Sequence, residues 1–237
     1  MWRYDPPQVI DYAATPHFDN DVSEIKEGLW NSFFDENLRW LKSKYLVDIG
    51  CGAGHFVDYA NLRGRKCVGV DLYPSKHLHI LTPDKYLETQ LPAKPSGRMR
   101  LVLEHVPDPF EFMRFWRQHL DQLLIIVPNE FNPLQLELSE KYGYSPVDPQ
   151  HSTYFTPYSL RMLCAETGWT VVRESSTFPM ELWCSLGFNY VKNPKLGPGV
   201  HRTRLVFETK AGALAFRLYQ YWYDTYKWGR ELMFLVK

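Results

Sequence analysis

Asp48 stands two residues before the first of three alternating glycines, Gly50, Gly52 and Gly54, and a second acid, Asp71, ends the apolar run at 67–70. Glycines suit a backbone that turns with positive φ or that a ligand must touch directly. The amides of such a loop, with the first turn of a following helix, attract a negative group. A carboxylate at the tip of the next strand can accept both hydroxyls of a ribose. Further along lie Glu104-His105, Asn129-Glu130 and His151 with Tyr154. Imidazoles titrate near neutrality, so His105 and His151 are candidate bases. Each has a plainer alternative, His105 as a cap on its turn and His151 as a tie within its loop. Asn129 and Glu130 either contact an acceptor or cap a helix. Arg202 lies among Lys192, Lys195, Arg204 and Lys210, with Glu208 the single acid. That excess could hold a phosphate or carboxylate on an acceptor, or simply face solvent. His77 and His79 form a bare H-x-H without an acid or cysteine, so no metal site is expected.

The loop spacing bears on which ligand it takes. A dinucleotide loop reads G-x-G-x-x-G and leaves room for a pyrophosphate. Here the third glycine arrives one residue early, and Asp48 would repel a pyrophosphate. An acid at that place suits a ligand carrying an ammonium and a sulfonium, which describes S-adenosylmethionine. A tight strand-to-helix turn without a ligand is the alternative.

These residues need strands to hold them at one edge. Hydrophobic periodicity predicts a helix over 21–43, strands at 45–49 and 66–70, and a helix at 55–62 between them. Prolines punctuate 72–100, leaving little room for a third strand. A fourth strand is expected at 100–104, a helix at 109–119, and a strand at 123–127 whose unbroken apolar run fits burial on both faces. Thr156-Pro157 opens a helix that Gly168 stops. A sixth strand follows at 170–174, a long helix at 211–227 and a seventh strand at 232–236. Together they predict a Rossmann-like α/β fold, a mostly parallel seven-stranded sheet with helices on both faces. One domain spans 1–237, with a helical cap at 1–43 and an insertion at 176–210 read as a substrate lid, with a solvated surface excursion as the alternative.

Composition narrows the partners. The chain has 237 residues, with 27 basic and 27 acidic side chains, so it has no general field for a polyanion such as nucleic acid. No apolar run is long enough to cross a bilayer. The first residues lack the apolar core of a signal peptide. Four scattered cysteines without a C-x-x-C read as reduced thiols. A cytoplasmic protein with a small-molecule partner is expected, either monomer or homodimer.

Val47–Gly54 reads V-D-I-G-C-G-A-G, Asp71 follows one βαβ step later, and Leu103–Pro109 reads L-E-H-V-P-D-P. With Val127–Pro133, His151–Phe155 and Gly168-Trp169, these motifs fall in the order found in class I S-adenosylmethionine-dependent methyltransferases. The chain resembles that family over roughly residues 20–180. The resemblance implies that Asp48, Gly50 and Gly52 line the methionine end of S-adenosyl-L-methionine, with Cys51 and Gly54 among the cofactor-binding residues. It places Asp71 and Leu72 at the ribose, Glu88 near the adenine, and Leu103 and Glu104 beside the transferring end. The chain departs from the family before the fourth strand, where Arg98-Met99-Arg100 replaces the usual Phe-Asp. The implied activity is methyl transfer to a small molecule, with oxygen favoured because His105 and His151 offer bases. Two rivals stand beside it, a binding module without turnover and an NAD-dependent reductase.

Overall fold

The computed structural model describes residues 21–73, 78–89, 93–143 and 147–237. Residues 1–20 of the expected cap, and His77 of the H-x-H pair, lie outside the described residues. The cap segment that follows is two helices, α1 (Asp21–Lys26) and α2 (Asn31–Trp40), rather than one. Gly28 breaks them at a φ of 73°. In α2, Phe33, Phe34, Leu38 and Trp40 turn inward as an apolar stripe, with Glu36 and Asn37 buried beside them.

Strand β1 (Tyr45–Ile49) pairs in parallel with β2 (Lys66–Val70) on one side and β4 (Ser96–Arg100) on the other. Helix α3 (His55–Leu62) joins β1 to β2. Strand β3 (Ile80–Leu81) is only two residues long, as the proline-punctuated stretch allows, and α4 (Pro83–Leu87) follows it behind a Thr82 cap. The fourth strand lies four residues earlier than its apolar look predicts. Its sequence, Ser-Gly-Arg-Met-Arg, hides because partners elsewhere make it buriable. Arg98 meets Asp48 and Arg100 meets Glu231. Gly97 has no room for more: a Cβ there would lie 2.4 Å from Leu120 Cδ1.

Helix α5 (Pro109–His119) starts at the Asp108 cap, and β5 (Gln122–Pro128) follows it. Leu123, Leu124, Ile125, Ile126 and Val127 have no exposed surface, which fits a central strand covered on both faces. Then come α6 (Pro133–Tyr142), α7 (Pro157–Glu166) with a Thr156–Ser159 capping box, and β6 (Val171–Ser176). The insertion holds α8 (Leu182–Ser185) and α9 (Gly197–Ala211). The expected helix at 211–227 is α10 (Ala213–Tyr226), separated from α9 by Gly212 at a φ of 53°. Strand β7 (Glu231–Val236) slots antiparallel between β5 and β6, giving the order β3-β2-β1-β4-β5-β7-β6.

Alternate strand residues feed two cores, as the period of two requires. Leu46, Cys67, Leu124, Ile126, Met233 and Leu235 face α2, α3, α9 and α10. Val47, Ile49, Val70, Leu123, Ile125 and Phe234 face α4, α5 and α7. Among the described residues, no helix is long and apolar enough to cross a membrane.

Candidate functional site

The chemistry gathers where the parallel strands β1, β2, β4 and β5 end. Gly50, Gly52 and Gly54 all have positive φ, at 66°, 53° and 82°. Gly50 is constrained twice, since a Cβ added there would lie 2.3 Å from Val102 Cγ2. Gly54 forms the N-terminal boundary of α3. Asp71 braces the loop: the amide of Gly52 donates to Oδ2 at 2.9 Å, and the amide of Tyr73 donates to Oδ1 at 3.0 Å. Cys51 packs over Gly69, and burial pushes its thiol far up. Leu72 is exposed beside Asp71, and Glu88 is exposed at the end of α4.

Asp48 is almost completely buried on the α2 and α3 side of the sheet. Its Oδ1 accepts from Arg98 Nη1 at 2.7 Å, and Arg98 Nε donates to Asn37 Oδ1 at 2.7 Å. The guanidinium also lies 4.3 Å from the Phe56 ring centre. Burial pushes the Asp48 carboxyl up, against the pull of Arg98. Removing one member of such a pair typically costs about 3–5 kcal/mol, because a buried charge is left alone. The Asp48 carboxylate expected at a ligand's methionine end is thus engaged with Arg98.

Val102, packed on Gly50, leads into a single 3-10 turn at Leu103–His105. Leu103 is wholly buried in the core. The carbonyl of Glu104 accepts from the amides of Ser152 at 2.7 Å and Thr153 at 3.1 Å, which fastens the segment before α7 onto this turn. The His105 and His151 rings meet edge to face, 4.8 Å between centres. His105 Nδ1 donates to the carbonyl of Gln150 at 3.0 Å, and its Nε2 lies 4.0 Å from Glu104 Oε1. His151 Nδ1 donates to Glu130 Oε1 at 2.5 Å, and its Nε2 lies 4.0 Å from Asp148 Oδ2. Tyr154 donates its hydroxyl to the carbonyl of Asp148 at 2.6 Å, with its ring centre 6.0 Å from that of His151.

Glu104 is 1% exposed, and among the described residues neither carboxylate oxygen has a hydrogen-bond partner. Burial pushes its pKa up to about 8. Burial also lowers His105. For His151 burial pulls down, but the bond to Glu130 prevails and the pKa rises. One ligand atom each from Glu104, His105 and His151 lies within 4.8 Å of the others.

Two expected site residues stand elsewhere. The Asn129 amide donates to the carbonyls of Gly229 at 3.1 Å and Lys227 at 3.4 Å, tying β5 to the turn before β7. Arg202 pairs with Glu27 at 2.5 Å, and with Glu24 at 4.0 Å, so it joins α9 to α1 and its flank. Sequence reasoning missed a buried polar joint under the insertion. Arg100 bonds Glu231 at 2.7 Å, and both Arg100 and Arg204 lie over Trp30, 5.0 and 5.5 Å from its ring centre. The alternating Arg98 and Arg100 of β4 were its only sequence signal.

A family profile described as a methyltransferase domain matches residues 24–174, well over half of the chain. Among solved structures, the chain is similar to a SAM-dependent methyltransferase from Archaeoglobus fulgidus. The identity is 17%, the TM-score 0.53, and the match covers 92% of this chain and 94% of that one. It is also similar to the small RNA methyltransferase HEN1, at 14% identity and a TM-score of 0.51, over 100% of this chain and 26% of that one. At these identities the likeness concerns the fold. No curated protein matches the chain in sequence. The chain belongs to the class I S-adenosylmethionine-dependent methyltransferases, with S-adenosylmethionine as its cofactor. The loop fits that cofactor. Among the described residues, and apart from its two chain neighbours, nothing lies within 4 Å of where a Gly52 Cβ would stand, so the backbone there is open beside the half-buried Asp71.

Proposed function

We propose that this enzyme methylates a hydroxyl oxygen of a small-molecule acceptor. The observation that carries the reading is the pair of His105, set one turn beyond the Val102 that packs against the glycine loop, and His151, whose ring meets it from the segment before α7. When bound, S-adenosylmethionine supplies a methyl carbon already activated by a sulfonium leaving group. An amine can attack such a carbon unaided, whereas a hydroxyl must be relieved of its proton. A site built only to position an amine has no need of two imidazoles and a buried carboxylate.

The backbone at Gly50, Cys51, Gly52 and Gly54 holds the methionine end. Asp71 holds the ribose, with Leu72 beside it and Glu88 toward the adenine. Asp48 keeps the base of the loop through Arg98. Leu103 sets the turn that presents Glu104 toward the transferring end. His105 and His151 activate the hydroxyl, and Glu130 orients His151. The Tyr154 ring walls the acceptor side. Asn129 and Arg202 have structural partners instead, and we give them no acceptor contact.

The domain is single, with residues 21–43 as a helical cap and 176–210 as a lid over the acceptor. Balanced charge supports a small acceptor over nucleic acid. RNA is the substrate class named for HEN1 and is not carried over. The four unpaired thiols suit a reducing compartment, and we place the enzyme in the cytoplasm.

The test is a screen of phenols, sugars, hydroxy acids and amines with a trideuteromethyl-labelled donor, read by mass spectrometry. The label should land on oxygen. Label on nitrogen alone would overturn the choice of atom. Binding of S-adenosylhomocysteine with no turnover of any class would favour a module that has lost transfer.

A further inference from the structure

The basic run at 192–210 turns one guanidinium inward. Lys192, Lys195, Arg202 and Lys210 are exposed, and Arg202 pairs with Glu27. Arg204, two residues further along α9, is only 6% exposed. Among the described residues its guanidinium makes no hydrogen bond. Its ion-pair partner, Glu208 one turn on, stays 3.6 Å from Nε, and the same Glu208 Oε1 accepts from the Tyr219 hydroxyl at 3.2 Å. Burial holds the Glu208 carboxyl above its ordinary value in spite of Arg204, so the pair is too loose to compensate either charge in full. By contrast, Arg100 has Glu231 at 2.7 Å. A guanidinium presents five N–H donors and keeps its proton, so burying it without acceptors is costly. Trp30 adds a second orphan. The Arg204 guanidinium lies 5.5 Å from its ring centre, and among the described residues the sealed indole N–H finds no acceptor. Native structures satisfy such groups or use them.

We propose that Arg204 binds a carboxylate carried by the methyl acceptor, with the Trp30 indole beside it. Arg100, the last residue of β4, lies over the same Trp30 ring, and the turn that holds Glu104 begins three residues later. Glu231, which holds Arg100, also acts electrostatically on Glu104 and on Glu208. One buried charge neighbourhood therefore runs from the reacting end to α9. A planar carboxylate matches the guanidinium fork and has lone pairs left for an indole N–H. It brings one negative charge, which is what the loosely paired Arg204 lacks. A phosphate monoester brings about 1.5 to 2. The acceptor is then a hydroxy acid read at both ends, the hydroxyl at the imidazoles and the carboxylate under the lid. Sequence marked the basic run but not its inward member, because the buried face of α9, Val200, Arg204, Leu205 and Glu208, is half charged.

The carboxylate end stands on Arg204 and Trp30, and the hydroxyl end rests on the O-methylation reading. The full chain, saturated with S-adenosylhomocysteine, is titrated by ligand-observed NMR with matched pairs. These are para-hydroxybenzoate, para-hydroxyphenylacetate and beta-hydroxybutyrate, each against its primary amide, with para-hydroxyphenyl phosphate as the dianionic arm. In the wild type at least one acid should bind at least tenfold tighter than its amide, and Arg204→Met should abolish that preference. Arg204→Lys should keep part of it, and Glu208→Gln should keep or widen it. Unchanged S-adenosylhomocysteine affinity in Arg204→Met separates loss of the carboxylate contact from loss of the fold. Should that variant not fold, the wild type and Glu208→Gln decide by themselves. Failure of every acid to outbind its amide in the wild type, or a preference that survives Arg204→Met or is lost in Glu208→Gln, overturns the carboxylate site. Tighter binding of the phosphate than of every acid overturns the choice of carboxylate. Acid preference together with label on nitrogen alone upholds the site and sinks the O-methylation reading. Label on the oxygen of neutral acceptors, with no acid preferred, does the reverse.

Discussion

Asp71 shows how one side chain serves two purposes. Its oxygens accept from the amides of Gly52 and Tyr73, so the carboxylate shapes the loop before it meets any ribose. A hydrogen bond to a charged group contributes about 1.5–3 kcal/mol. Asp71→Ala should therefore weaken S-adenosylhomocysteine binding roughly ten- to a hundredfold, measured by titration calorimetry. Unchanged affinity would remove Asp71 from the ribose site. The motif around Gly50 is legible from sequence because its geometry is local, with the turn, the positive φ and the helix start all within a few residues. Glu104, His105 and His151 were each visible as polar residues near strand ends. Their convergence was not, since it depends on amides of Ser152 and Thr153 reaching the Glu104 carbonyl.

At the scale of elements, α7 is pinned to β6 by a charge pair. Arg161 donates to both oxygens of Glu174, at 2.6 and 2.5 Å, and Tyr223 of α10 donates its hydroxyl to Oε2 at 2.8 Å. Burial raises the Glu174 pKa, but the bonds from Arg161 and Tyr223 outweigh it and the net shift is downward from 4.5. A carboxylate whose pKa is lowered on folding adds stability above its unfolded pKa and loses that stability as pH falls through its folded one. Wild type should therefore unfold at higher temperature than Glu174→Gln near neutral pH. The gap should close as pH drops below the ordinary carboxylate value. A gap independent of pH, followed by circular dichroism, would show that the pair contributes shape rather than charge.

Across the whole molecule, Trp30 joins three parts of the chain. Its ring stacks on Phe34 of α2, meets Arg100 from the sheet and carries Arg204 from the insertion. It is 4% exposed. Truncating a buried tryptophan typically costs about 3–5 kcal/mol. Trp30→Ala should destabilise the protein by that order and should raise amide hydrogen exchange over 197–211 more than over β5. Uniform exchange would mean the insertion is held by other contacts, such as Arg202 with Glu27.

The glycine loop, the acid one strand later, the central apolar strand and the capped helices α5 and α7 were determined by sequence alone. In each, neighbouring residues carry the whole physical cause: backbone freedom, a continuous apolar run, or a side chain capping its own helix. The place of β4 was decided only in three dimensions, because Arg98 and Arg100 become buriable when Asp48 and Glu231 come to meet them. The meeting of Glu104, His105, Glu130 and His151 has the same character. A sequence pattern records what neighbours do to each other, while charge compensation between distant segments exists only once the chain has closed.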